Sequence, residues 1–323
     1  MTNQIKQRLS ELTNILLDDA NSIYTLRPET LETRDILETQ SETFRRHQEI
    51  ETDETRTAQG LAISPTMAAM CTDDFVRTIT YLRGLNAAIR DLRRDNAKNP
   101  LRVLYAGTGP YAVLAIPLMT VWSSDEVVFE ILDIHDTSIE AVKTIVQNLD
   151  LGSHVSAYHC IDAMEYTPHP DNFPDIIIAE VMLAGLENEP QVAVTRSLTK
   201  KMPDALFLPE SIEVSAYTED PDHDLGTVFK FDKSMFGMAA NDANMLPAST
   251  LKIPEKPSST QEHQRPSTHI FLQTRVQVYG THTLEKNDSG LTVPQLFNCD
   301  FEYGKPLKIA YQMGENPKLV RVA

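Results

Sequence analysis

Long apolar runs are missing from this chain. No stretch approaches the roughly 18 consecutive apolar residues that a membrane-spanning helix needs. The opening Met1-Thr2-Asn3-Gln4-Ile5-Lys6 is too polar for a signal peptide. Cysteine is scarce as well. Cys71, Cys160 and Cys299 form neither an even disulfide set nor a metal-ligand spacing. That usage suits a reducing compartment, and cytoplasm is the expected location. Positive charge is short: 29 Lys and Arg stand against 46 Asp and Glu, a formal net charge of −17. This balance excludes general nucleic-acid binding and attraction to an anionic membrane. It leaves a cationic substrate or partner open. His135, His159 and His169 show no ligand spacing, so no metal is expected.

What is present is enough apolar material for a sizeable core, 41% of 323 residues, in two domains or in one with additions. The organising stretch is Leu101 to Asp133. An apolar run, Leu101-Arg102-Val103-Leu104-Tyr105, leads into Ala106-Gly107-Thr108-Gly109-Pro110-Tyr111-Ala112. The largely apolar segment Val113 to Trp122 follows, then a second run, Val127 to Leu132, ending on Asp133. This reads as strand, glycine turn, helix, strand, acid, the nucleotide-binding half of a doubly wound sheet. Gly107 and Gly109 permit a sharp turn and close approach to a ligand. Pro110 suits the first position of a helix. Asp133 can accept hydrogen bonds from two ribose hydroxyls. Gly107-x-Gly109-x-x-Ala112 also fits the dinucleotide fingerprint, so an NAD(P)-dependent oxidoreductase stays open.

Upstream, residues 1–100 read as a helical arm. Ile5, Leu9, Leu12 and Leu16 form one apolar stripe, expected to pack against the rest of the chain. Pro28 opens a second helical stretch. Glu49 to Thr57 is charged and expected to be exposed, and Thr66 to Arg94 reads as one or two helices. Asp73 and Arg77, four apart, can pair on one face. Such an arm can lid a ligand site or simply pack on the sheet.

Downstream, Ile139 to Leu149 has helical periodicity, and Val155 to Cys160 and Asp175 to Ala179 read as strands. Gln191 to Lys201 reads as a helix and Ala205 to Leu208 as a strand. Alternation from 101 to about 212 implies a right-handed, mostly parallel sheet with ligands beyond its carboxyl edge. From about 213 to 323 the pattern alternates with period two, as in Ile212 to Tyr217 and Ile270 to Val278. A mainly antiparallel β domain is expected there. The Pro/Ser/Gln-rich stretch from Pro254 to Pro266 reads as a mobile loop.

Leu104-Tyr105-Ala106-Gly107-Thr108-Gly109, then Asp133, then Asp162-Ala163, fall in the order seen in class I S-adenosylmethionine-dependent methyltransferases, which residues 101–212 resemble. The resemblance implies a Rossmann-like α/β sheet, here with a helical N-terminal arm (1–100) and a C-terminal β domain (213–323). It implies S-adenosyl-L-methionine as cofactor, with Gly107 and Gly109 near the methionine half. Asp133 would hold the ribose, and Asp162 with Ala163 would sit at the adenine. Tyr105 replaces the family's usual acid, and Tyr111 stands where a third glycine is common. Either ring could pack on the sulfonium. The glycine loop, as a helix N-terminus, would favour the methionyl carboxylate.

Ala179-Glu180-Val181-Met182 through Glu189 resembles the double-glutamate loop of protein arginine methyltransferases, with Glu180 and Glu189 in register and Met182 between them. Ala179 replaces the family's serine, Pro190 follows the second glutamate, and no Tyr-rich helix is evident near the N-terminus. His282 only faintly resembles the family's histidine loop. Two carboxylates can hold a planar guanidinium so that one nitrogen faces a methyl group. The resemblance implies a methyltransferase with Glu180 and Glu189 as catalytic residues. Its expected acceptor is a guanidino or amino group on a small molecule, in small-molecule biosynthesis, or on an arginine-containing protein. A homodimer is left open. Two alternatives stand beside it. One is an S-adenosylmethionine cyclase forming azetidine-2-carboxylate and methylthioadenosine. The other is a binding protein that keeps the fold without the chemistry.

Overall fold

A computed structural model describes residues 2–42, 44, 54–95, 100–218, 224–237, 244–255 and 269–322. Residues 256–266 of the Pro254 to Pro266 loop and 49–53 of the Glu49 to Thr57 stretch lie outside the described residues; in the rest of the latter, Glu54 and Arg56 are exposed as expected, whereas Thr55 and Thr57 are half-buried.

The N-terminal arm consists of α1 (Thr2–Leu17), α2 (Arg27–Gln40), the short hairpin β1 (Thr55–Thr57) and β2 (Gly60–Ala62), α3 (Pro65–Cys71) and α4 (Phe75–Asp95). Leu9, Leu12 and Leu16 of α1 are fully buried, so the apolar stripe is spent on this chain's own helices α2 and α4. Arg83 of α4 fastens the arrangement. Its Nε donates to Leu16 O at 2.7 Å and its Nη2 to Asp18 O at 2.8 Å. These are carbonyls at the end of α1, which have no partners within the helix.

The central unit alternates β3 (Leu101–Ala106), β4 (Val127–Asp133), α5 (Asp136–Asn148), β5 (Val155–Cys160), β6 (Ile176–Ala179), α6 (Gln191–Lys201) and β7 (Leu206–Leu208). The five strands pair in parallel in the order β5-β4-β3-β6-β7. The chain starts in the middle, builds one side, then returns to build the other. The strand order therefore reverses at β3 and β6, and a crevice opens beyond their carboxyl ends. All seven residues of β4 and all four of β6 are buried, as expected for strands covered on both faces.

One expectation fails here. Val113 to Trp122 is not an α-helix but a series of turns with a 3₁₀ segment at Leu118–Thr120. Pro110 and Pro117 supply no N–H, and Ala112 takes a positive φ of 40°. The run cannot close a regular i to i−4 ladder. Gly109 therefore does not open a helix N-terminus.

The remainder is antiparallel: β8 (Ser211–Thr218), β9 (Asp224–Asp232), the short α7 (Lys233–Gly237), β10 (Met245–Lys252), β11 (Ile270–Tyr279), β12 (His282–Leu284), β13 (Gln295–Phe297), β14 (Pro306–Gln312) and β15 (Lys318–Arg321). One sheet runs β12-β11-β8-β9, with β13 also on β11; another runs β10-β14-β15. The period-two pattern of β11 buries every second residue. Helix α4 lies against β11 so closely that a Cβ on Gly84 would meet Val278 Cγ1 at 2.6 Å. No helix among the described residues is long and apolar enough to cross a membrane.

Candidate active site

A cavity of about 340 Å³ lies at the carboxyl ends of β3, β4 and β6. Its wall contains every site residue singled out from the sequence: Tyr105, Gly107, Gly109, Asp133, Asp162, Ala163, Glu180 and Glu189. They come from four separate segments, and the parallel sheet brings them together.

Asp133 closes β4. Its Oδ2 accepts from Gly109 N at 2.8 Å and its Oδ1 from His135 N at 2.9 Å. The carboxylate is thus fixed to the glycine turn across the sheet, with lone pairs left on both oxygens for a ligand. Gly107 and Gly109 take positive φ, 77° and 58°. A Cβ on Gly107 would lie 2.4 Å from Val181 Cγ1, and one on Gly109 3.2 Å from Ala68 Cβ. The turn is therefore a narrow passage between α3 and the segment after β6, which only glycine fits at Gly107. Asp162 accepts from Met164 N at 2.8 Å and is partly exposed to the cavity. Tyr105 is 4% exposed, and burial pushes its hydroxyl pKa well up.

Glu180 stands just past β6. Gln191 brackets it: its Oε1 accepts from Val181 N at 2.9 Å, and its Nε2 donates to Ala179 O at 3.1 Å. One buried amide thereby fixes the backbone on both sides of the glutamate. Arg77 of α4 faces Glu180 at 3.5 Å, with side chains 10% and 17% exposed. Burial raises the Glu180 pKa, Arg77 opposes the rise, and Asp74 adds to it. Glu189 is 8% exposed. Burial first, then the nearby Glu180 charge, push its pKa up to about 8. Arg77 opposes this rise.

The Asp73–Arg77 pair read from helical spacing resolves differently. Asp73 pairs with Arg34, and Arg77 with Glu180. Asp74, next along, accepts from Arg77 N at 3.2 Å and, through its other oxygen, from Ser289 Oγ at 2.7 Å and Gly290 N at 2.8 Å. Arg77 and Gln191 are among the residues at the site that sequence reasoning missed. Nothing local marks either, since Arg77 lies 103 positions from Glu180. His135 also belongs to the wall, with Nε2 3.1 Å from Thr55 Oγ1. His159 does not. Its Nε2 meets Glu130 at 3.0 Å, beside Tyr166, whose hydroxyl donates to the same carboxylate at 2.8 Å. His282 sits on β12 near Asp19 and Arg83, and Glu187 is exposed; neither lines the cavity.

No family model matches the sequence, and no curated protein matches it. Among solved structures, the chain is similar to the Trypanosoma brucei PRMT1 enzyme–prozyme heterotetrameric complex with AdoHcy, at 12% identity, over 76% of this chain and 87% of that one, with a TM-score of 0.48. It is also similar to a uniquely open conformation of Arabidopsis thaliana protein arginine methyltransferase 10, at 12% identity, over 72% and 84% of the two chains, with a TM-score of 0.49. These are likenesses of outline, and the site stands on its own geometry.

Proposed function

We propose that the chain is an S-adenosylmethionine-dependent N-methyltransferase acting on a guanidino or amino group, on a small arginine-like molecule or on a protein. One observation carries this reading. A single cavity places Asp133 and the glycine turn on one side of β3, and the Glu180/Glu189 pair on the other. The wall suits the cofactor's chemistry. Asp133 retains acceptor capacity for ribose hydroxyls, and Asp162 for an amino group. The Tyr105 ring offers a π face to a sulfonium. The turn at Gly109 offers no helix N-terminus, which removes that support for a methionyl carboxylate and for a dinucleotide pyrophosphate alike. Arg77 is the one Lys or Arg among the described wall residues able to meet a carboxylate.

When bound, the cofactor supplies an electrophilic methyl group. The protein's own part is placement. Glu180, held by Arg77 and bracketed by Gln191, offers a fixed acceptor to N–H groups. Glu189 gives up its proton when a cation settles beside it, since the new positive charge reverses the effect of burial. Two carboxylates then hold a planar guanidinium in one orientation, and orientation supplies much of the rate in an in-line displacement. In this reading residues 1–100 cover the site, 101–212 hold the cofactor, and 213–323 buttress the glutamate loop.

The test is a product assay by mass spectrometry with purified protein and S-adenosylmethionine. S-adenosylhomocysteine that forms only when free arginine, an amine or an arginine peptide is added supports the proposal, and Glu180→Gln should abolish it while binding cofactor within a few-fold. Methylthioadenosine and azetidine-2-carboxylate without an acceptor would instead establish the cyclase. Binding of NAD in place of S-adenosylmethionine would establish the oxidoreductase.

A further inference from the structure

Glu189 sits on a short loop that has almost no regular structure of its own. Leu186 and Asn188 both take left-handed backbone conformations, φ 57° and 66°. Such loops hold a fixed shape only when the surrounding structure determines them. Here the ties come from both ends of the chain. From the C-terminal unit, Thr274 Oγ1 accepts from Gly185 N at 2.8 Å, and the Tyr311 hydroxyl donates to Leu186 O at 3.0 Å.

Asn188 takes part in both sets of ties through its backbone. Its N–H donates to Pro317 O at 2.8 Å, and its carbonyl accepts from Leu61 N at 2.7 Å. Leu61 belongs to the β1–β2 hairpin, and the neighbouring Gly60 explains how the hairpin comes so close. A Cβ at Gly60 would lie 2.7 Å from Asn188 O and 3.1 Å from Pro190 N, and Gly60 itself has φ +137°. The hairpin's other end reaches the opposite bank of the cavity, where Thr55 Oγ1 lies 3.1 Å from His135 Nε2, next to Asp133. The hairpin therefore spans the cavity from the ribose-side acid to the glutamate loop, with Thr57 and Leu61 in the wall between.

We propose that Asn188 is a positioning residue: a left-handed pivot through which the seated Thr55–Ala62 hairpin and the C-terminal β unit together hold Glu189 against Glu180 and Arg77. This rests on the reading that the two glutamates hold the acceptor. The consequence is that the acceptor side of the site is complete only with the hairpin docked. The cofactor side is built on β3 and β4 and meets the hairpin through Thr55 and His135, so undocking should cost it far less.

The experiment compares Asn188→Gly, Asn188→Val and Gly60→Ala with the wild-type chain. Glycine keeps the left-handed conformation and both backbone bonds, whereas a β-branched residue is strained there. Three quantities are read: steady-state kinetics with a guanidino acceptor, S-adenosylhomocysteine affinity by calorimetry, and hydrogen exchange of segments 54–62 and 186–190. Asn188→Val and Gly60→Ala are expected to lose at least tenfold in kcat/KM for the acceptor, with cofactor affinity within threefold of wild type. Both segments should lose protection together. Asn188→Gly should restore all three quantities to within threefold. Normal turnover in Asn188→Val, or loss of hairpin protection in Gly60→Ala with turnover unchanged, would overturn the proposal. If the wild-type chain transfers no methyl group to any acceptor, the functional reading falls instead. Exchange then decides the clamp: coupled loss of protection in Asn188→Val upholds it, and loss in one segment alone overturns it.

Discussion

Arg77 and Glu180 meet inside the cavity wall at 3.5 Å, one from α4 and the other from the exit of β6. Arg77 is also tied by its Nη2 to Cys71 O at 2.6 Å. The guanidinium is therefore a fixed fitting between α3, α4 and the sheet, and Glu180 is the charge it compensates. Removing one partner of such a pair leaves the other charge buried without compensation.

Arg77→Met should therefore destabilise the fold by on the order of 3 kcal/mol, read by urea unfolding. Adding Glu180→Gln to it should recover part of that loss, because the stranded carboxylate is gone. Additive losses in the double variant would show that the two side chains do not interact.

Asp133 makes the cofactor side testable without an acceptor. Asp133→Ala removes a carboxylate that also orders the glycine turn through Gly109 N. Loss of charge-assisted hydrogen bonds of about 1.5–3 kcal/mol implies roughly a tenfold or greater loss in S-adenosylhomocysteine affinity. Calorimetry on the folded variant measures it directly. Unchanged affinity would remove Asp133 from the ribose subsite.

Glu189 predicts a pH dependence with a definite sign. Its pKa in the folded chain is raised to about 8 from an ordinary 4.5, by burial and then by Glu180. The folded state thus binds this proton more tightly than the unfolded chain. The associated stability is fully present below pH 4.5 and is lost as pH rises from there through about 8. Relative to Glu189→Gln, the wild-type chain should lose on the order of 4 kcal/mol between pH 5 and pH 9 in urea titrations. In kinetics, kcat/KM for a guanidino acceptor should climb with pH towards 8 in the wild-type chain, because the acceptor itself stays charged throughout. Glu189→Gln should lose that slope. Parallel profiles for the two proteins would dissociate Glu189 from acceptor binding.

Much of the central unit was legible before folding was considered. Ile176–Ala179 and Gln191–Lys201 fall where apolar pattern alone put them, because a doubly covered strand leaves a continuous apolar run and an amphipathic helix a periodic one. Asp133 and Glu180 were legible for a related reason. A charged residue just after an apolar strand marks the carboxyl edge of a parallel sheet, where ligands bind. Val113 to Trp122 misled because composition does not distinguish an apolar helix from a run of buried turns. Pro117, in the middle of the run, was the warning. The β1–β2 hairpin was invisible because strands of three residues are too short to show a period.

By itself, then, the sequence determined the parallel sheet, the glycine turn and the acids at its edge, all set by local periodicity and by residue types that admit few conformations. The pairing of Arg77 with Glu180, the bracket made by Gln191, and the meeting of Leu61, Asn188 and Pro317 were decided only in three dimensions. The first and third join positions far apart in the chain and the second positions 10 and 12 apart, and each depends on where helices and strands come to rest once the sheet closes. A hydrogen bond or ion pair between such positions has no period and no spacing to announce it. The tertiary packing also set the Glu189 proton affinity, since burial and a neighbouring carboxylate are properties of the folded cavity and not of the residue.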